Sequence, residues 1–425
     1  MGGLYKLPKL KEDCYFSGMI HLKPFRALRP PRDKAYLVAT RSYLSYTPRQ
    51  LEEKLKHNPF TFLHVINPIK GRALDYGKEK YQLVKEAFSH SVAEGMFKQD
   101  TKECYYLYRQ VKDGNEYTGL IAAVAIEDYL AGKIKKHEHT LTQRENMFTD
   151  YLETTGFNAE PVLLTYQDDL RIDKVFAQYI EKRSEYEFTS TDKVLHQLWL
   201  IEDKKHCDAI TKAFKDQKSC YIADGHHRCA SSALLANRQS AKKQPAAQFF
   251  MALLIGEEQM KVYDFNRLVK NTTSKTHFHI LEELERRFLI ERKGKDTFKP
   301  EKLHEIGMYL KGQWYKLVPK MGTFDPGNAV NHLDADILSQ NILAPVFGIK
   351  DLKHDERVKF VPGTEGLDYL QEAVNNDKYQ VAFALHPVTV EQIKRVSDAG
   401  LTMPPKSTYI EPKLRSGLTV YKILD

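Results

Sequence analysis

Cysteine is scarce in this chain: 425 residues hold five, Cys14, Cys104, Cys207, Cys220 and Cys229. The number is odd and no two form a C-x-x-C pair, which argues against a disulfide framework and for reduced thiols. No apolar run approaches the roughly 18 residues that a membrane span needs. The N-terminus lacks the apolar core of a signal peptide. These absences lead to the expectation of a cytoplasmic protein without membrane contact. Charge of one sign is not in large excess either. A net +8 over 425 residues weakly favours anionic ligands and does not by itself imply nucleic acid. No convincing helix-turn-helix occurs, so nucleic acid is not expected as a partner. The Walker-type G-x-x-x-x-G-K-[ST] loop and the G-x-S-x-G elbow are both missing, which excludes those two motif-borne mechanisms.

What is present describes an ordinary globular protein: 42% hydrophobic and 28% charged residues, with 24 tyrosines and 21 phenylalanines. Such a composition buries enough apolar surface to fold, and the length holds two or three domains. Residues 1–118 read as a first α/β unit. It has a Pro/Arg-rich start (23–31), a short strand at 36–39, helices over 49–57 and 78–94, and a tyrosine-rich strand over 103–112. Asp113, Gly114 and Asn115 then form a hairpin turn. Residues 119–260 form a middle unit. The run 119–126 (GLIAAVAI) predicts a strand buried on both faces. A polar junction, Lys136 to Thr140, precedes a helix over 141–153, with Thr140 and Gln143 at capping-box spacing. A strand over 161–166 comes next. Then come a strand over 219–223, a second junction (224–228), a helix over 229–238 and a strand over 248–255.

Residues 261–425 read as a C-terminal α+β unit. Strands are expected at 314–317 and 380–385 and a helix over 334–348. A helix capped by Thr389 and Gln392 is closed by Gly400. A polar loop over 403–417 leads to a final strand.

The segment Asp224-Gly225-His226-His227-Arg228 carries the strongest chemical signal. Glycine lets backbone approach a ligand closely. A helix start offers unpaired N–H groups and partial positive charge. Arginine adds a bidentate fork. Together these predict a phosphate site, with Gly225, His226, His227 and Arg228 as binding residues and Asp224 as a magnesium ligand. The plain alternative is a tight turn in which Asp224 caps a helix. In the other junction, Glu138 is the candidate general base; a solvated junction, or a metal pair of His137 and His139, stays open. Lys406, Ser407, Thr408, Lys413 and Arg415 could grip a second anion, against the reading of a solvated loop with incidental charge. Cys229, at a helix start, could be an acidified thiol or simple packing. If the two strand–junction–helix units share one sheet and run the same way, Glu138 and the 224–228 turn meet at one edge.

Several motifs also resemble a known family. They are Pro24-Phe25-Arg26-Ala27-Leu28-Arg29-Pro30, Asn58-Pro59-Phe60, Thr118-Gly119-Leu120, His137-Glu138-His139-Thr140, Ala223-Asp224-Gly225-His226-His227-Arg228 and Met403-Pro404-Pro405-Lys406-Ser407-Thr408. The chain resembles domain-of-unknown-function family 1015 over nearly its whole length. Its centre is similar to the ParB/sulfiredoxin superfamily, which includes nucleotide-dependent kinases of free serine. The resemblance implies a ParB/sulfiredoxin-like core with α/β additions at both ends. It also implies Glu138 as the base, 224–228 as the phosphate and metal turn, and catalytic parts for Asp224 and His227. The place of sulfiredoxin's cysteine nucleophile holds His226. The expected activity is phosphoryl transfer from ATP or ADP, with Mg2+, to a small hydroxylated metabolite such as L-serine. The competing expectation is a non-catalytic, nucleotide-responsive regulatory or binding protein.

Overall fold

The computed structural model describes residues 19–42, 45–68, 77–238, 244–270 and 275–424; Cys14 lies outside them. The architecture is mixed α/β around two main sheets. The first has nine strands: β1 (Leu22–Lys23), β2 (Tyr105–Lys112), β3 (Asn115–Ala125), β4 (Ile134–Lys135), β5 (Val162–Tyr166), β6 (Tyr186–Thr189), β7 (Leu195–Ile201), β8 (Cys220–Asp224) and β9 (Phe249–Gly256). Their order is β4-β8-β5-β9-β3-β2-β7-β6, with β1 also paired to β3. The apolar run in β3 explains its central place. Ile121 and Ala123 enter one core and Leu120, Ala122 and Val124 the other, as a strand covered on both faces requires. The β2–β3 hairpin turns through Asp113 (φ 50°) and Gly114 (φ 75°), the left-handed pair of a type I′ turn.

The second sheet comprises β10 (Phe265–Val269), β11 (Phe288–Gly294), β12 (Ile306–Leu310), β13 (Gln313–Pro319), β14 (Val358–Pro362) and β15 (Val381–Leu385), in the order β11-β13-β12-β15-β10-β14. Every neighbouring pair in it is antiparallel. After β15 the chain returns to the first sheet. Thr389 and Gln392 form the expected capping box on the helix Val390–Asp398, and Ile393 and Val396 join the core of the first sheet. Tyr409–Glu411 pairs with Lys261–Tyr263, and Tyr421–Lys422 with Phe157–Asn158. Among the described residues no helix is long and apolar enough to cross a membrane.

The structure differs from the sequence reading at several points. Residues 36–39 are not a strand: Ala35–Val38 is a helical turn, buried at Ala35 and Val38, the i, i+3 spacing of one helix face. The expected division at 118/119 falls inside β3, whose pairing with β2 runs across it. The capping box at Thr140 is not formed. Leu141 is the N-cap, without a side-chain bond, because the Thr140 hydroxyl donates to Glu145 instead. The helix expected over 334–348 is interrupted by a π-turn at Ser339–Leu343.

Candidate active site

The site grows from one parallel pair. β4 lies beside β8 in the same direction, with Ile134 opposite Cys220 and Lys135 opposite Tyr221. Both chains therefore leave the sheet at the same edge, one into His137-Glu138-His139 and the other into the 224–228 turn. The strand that delivers Glu138 is this two-residue β4, not the long apolar run, which became β3. The helix His226–Arg238 starts three residues earlier than expected, so His226, His227 and Arg228 form its first turn. Gly225 has φ 98°, and a Cβ there would stand 3.0 Å from Nε and Cζ of Arg228. A side chain at this position meets backbone strain and would press on the Arg228 guanidinium.

Glu138 and the turn come together. Glu138 Oε2 is 3.5 Å from His226 Nδ1, and nearly half of the glutamate side chain remains open to solvent. The amide of His137 donates to His226 Nε2 at 3.4 Å, and the two imidazoles meet edge to face with centroids 4.6 Å apart. Burial first, and then the Asp224 carboxylate, push the Glu138 carboxyl above its usual range, while Lys406, Lys413 and Lys353 pull it back. A carboxyl tuned upward is suited to proton acceptance near neutral pH. Burial holds His137 down at about 4 and, together with its neighbour His137, holds His226 well below the ordinary histidine value. Both rings are neutral.

Asp224 sits across from them, between two cations. Lys413 Nζ is 3.6 Å from one carboxylate oxygen and Arg228 Nη2 3.8 Å from the other. Burial raises this carboxyl, but Lys413 and Arg228 more than offset that, so it lies below its usual range and is ionised. Arg228 is not a free fork. Its Nη1 pairs with Glu160 at 2.8 Å and donates to the Pro161 carbonyl. His227 turns elsewhere: its ring lies 6.4 Å from Phe148, and Arg144 and Glu145 are its charged neighbours. Adjacent positions on a helix point in different directions, so His227 does not join Glu138.

The second anion cluster divides. Lys406 and Lys413 act on Glu138 and so belong to the first site. Arg415 is committed to Asp192, at 2.7 and 2.8 Å, and its side chain is 5% exposed. The Ser407 hydroxyl donates to the Pro404 carbonyl, and Thr408 is half-buried beside it. Sequence reasoning missed Lys353, Glu160 and the buried part of His137. It also missed Arg267, which is buried in the second sheet and donates to the Lys406 carbonyl at 3.0 Å. Lys353, Glu160 and Arg267 lie in no motif with the residues they meet, so no local signal marked them; His137 stood in the Glu138 motif, but its burial shows only in the fold. Cys220 and Cys229 are buried, and burial pushes both thiols up, which settles Cys229 as packing.

One donor of each of His137, Glu138 and His226 lies within 4.8 Å of the others. His139 is exposed and outside the group. The trio is nonetheless poorly prepared for a metal. With an amide N–H on Nε2, a neutral imidazole keeps its proton on Nδ1, the atom toward Glu138. That nitrogen has no lone pair to offer. Asp224 fits better as a ligand for a hard cation, being an ionised oxygen donor at an open edge.

The model of DUF1015, described as a protein family of unknown function, matches residues 22–336. The chain belongs to DUF1015. No curated protein matches it. Among solved structures, this DUF1015 chain is similar to a free serine kinase in complex with AMP, at 12% identity over 71% of this chain and 91% of the other, with a TM-score of 0.35. It is also similar to a C-terminally truncated SbnI from Staphylococcus aureus, at 14% identity over 68% and 82%, with a TM-score of 0.37. A hypothetical protein from Pyrococcus furiosus matches at 14% identity over 71% and 95%, with a TM-score of 0.33.

Proposed function

We propose that this protein transfers a phosphoryl group from ATP or ADP to the hydroxyl of a small metabolite, with L-serine as the first candidate. The observation that carries this reading is the convergence of Glu138 on the 224–228 turn, 3.5 Å from His226. A base and a phosphate cradle at one sheet edge are what phosphoryl transfer needs, since it depends on alignment and charge neutralisation rather than on covalent help.

In this reading the amides after Gly225, at the start of a 13-residue helix, hold phosphate oxygens. Lys413, Lys406 and Lys353 neutralise charge. Arg228, held by Glu160 and Pro161, braces the turn. Asp224 would hold Mg2+, which when bound supplies charge neutralisation between phosphates. The acceptor oxygen forms a bond to the terminal phosphorus, the bond from that phosphorus to the nucleotide's bridging oxygen breaks, and the hydroxyl proton passes to Glu138.

Purified protein is incubated with ATP or ADP, Mg2+ and L-serine or a pool of hydroxylated metabolites, and followed by phosphorus NMR. A new phosphomonoester is expected. Glu138→Gln should cut its rate by about 10²–10⁴-fold and leave nucleotide affinity, measured by calorimetry, unchanged. Nucleotide binding without any phosphomonoester overturns the reading in favour of a regulatory nucleotide sensor.

A further inference from the structure

We propose that His226 is the positioning residue of Glu138: a donor on Nδ1 that holds one carboxylate oxygen and leaves the other free for the acceptor hydroxyl. The proposal rests on the phosphotransferase reading for its purpose, but not for its geometry.

The geometry is a chain of fixed groups. The Met403 amide donates to the His137 carbonyl at 2.9 Å. The His137 amide donates to His226 Nε2 at 3.4 Å. His226 Nδ1 stands 3.5 Å from Glu138 Oε2. A neutral imidazole has one donor nitrogen and one acceptor. The amide at Nε2 makes that atom the acceptor, so Nδ1 carries the hydrogen and can only donate. The ring is 4% exposed and the His137 ring stands edge to face against it, which leaves no room to turn. His226 therefore neither relays a proton nor binds phosphate from the solvent side. It restrains a glutamate whose charged neighbours are Asp224, Lys406, Lys413 and Lys353. The three lysines attract the carboxylate and Asp224 repels it, and a fixed donor at His226 Nδ1 restrains one of its oxygens. At 3.5 Å the contact is longer than a formed bond, as catalytic hydrogen bonds commonly are before substrate arrives.

The first test needs no turnover. Histidine-labelled full-length protein is examined by nitrogen NMR, the His226 signal being assigned by its loss in His226→Asn. The Nδ1–H tautomer is expected, with an Nδ1 resonance that moves in Glu138→Gln. The Nε2–H tautomer, or an Nδ1 signal indifferent to Glu138→Gln, overturns the proposal even if the enzyme phosphorylates serine. The second test uses the ATP/L-serine assay. His226→Leu should lower kcat on the order of 10²-fold, the effect of a base displaced by about 1 Å, with ATP affinity unchanged. His226→Asn, whose amide nitrogen lies near the place of Nδ1, should recover most of that loss, and His226→Gln should not. Equal loss in the Leu and Asn variants, or a fall in ATP affinity alongside kcat, assigns His226 to packing or to phosphate binding and overturns the positioning role.

Discussion

The nine-stranded sheet contains two parallel pairs, β4–β8 and β5–β9, whereas each pair in the six-stranded sheet is antiparallel. The consequence is chemical. Parallel neighbours end on the same side, so two junctions distant in sequence deliver their polar residues to one edge. Antiparallel neighbours send successive strand ends to opposite sides, and no such meeting of strand ends occurs. The first sheet accordingly carries the acids and histidines of the site. The loops of the second sheet contribute one cation, Lys353, and its strand β10 buries Arg267, which burial pushes down to about 9 and which bonds to the Lys406 carbonyl of the returning segment. The acids and histidines gather at one edge of the first sheet, and the second sheet adds Lys353 to their charged surroundings.

The strongest test of this contrast is whether the two units unfold apart. Phe250 in β9 and Phe383 in β15 are both fully buried, and truncating either to alanine should remove about 3–5 kcal/mol. The chain has two tryptophans, Trp199 in the first sheet and Trp314 in the second, so each unit has its own fluorescent reporter. The returning segment that ends the chain ties the two together. A single denaturation transition, shifted for both tryptophans by either substitution, is therefore expected. Two transitions, each moved by one substitution only, would separate the units.

Acid sharpens the contrast with a smaller effect. His137 has an ordinary value of 6.5 in the unfolded chain and about 4 in the fold. Above the higher value it is neutral in both states and adds no pH dependence. Between the two, the unfolded chain binds a proton that the folded one refuses, so stability falls as pH falls, by up to about 3 kcal/mol. His196, at about 3, adds to the same trend in the same unit. His137→Phe should flatten the pH dependence of the denaturation midpoint between pH 6.5 and 4; an unchanged slope would remove His137 as its source. The smallest effect belongs to the charge that the second sheet adds. Lys353→Ala should weaken ATP binding by about 0.5 kcal/mol, roughly twofold, and the difference should shrink at high salt. Calorimetry at two ionic strengths reads it, and a salt-independent loss would mean a direct contact.

Much of the site was legible as residue types, and little of it as geometry. The 224–228 turn stands out because a glycine and four polar residues follow a buried apolar strand. Glu138 stands out only if the two junctions converge, and that depended on β4. Two residues carry no periodicity; Ile134 and Lys135 are a strand because β8 lies beside them. Arg415 and Lys413 looked alike in one loop. Their roles split because Arg415 meets Asp192, 223 residues away, while Lys413 meets Asp224. The Thr140 box failed because a competing carboxylate, Glu145, took the hydroxyl.

The sequence by itself determined the local matters: a β3 buried on both faces, the Asp113-Gly114 turn, the Thr389 cap, and a glycine at the turn that follows β8. Each follows from hydrophobic periodicity or from backbone preference within a few neighbouring residues. Only the tertiary structure decided which charges are spent and which are free. Arg228 is spent on Glu160, Arg415 on Asp192, and Glu138 is left open beside His226. Ion pairs and tautomers depend on distances between strands brought together across the sheet, and no short stretch of chain encodes them.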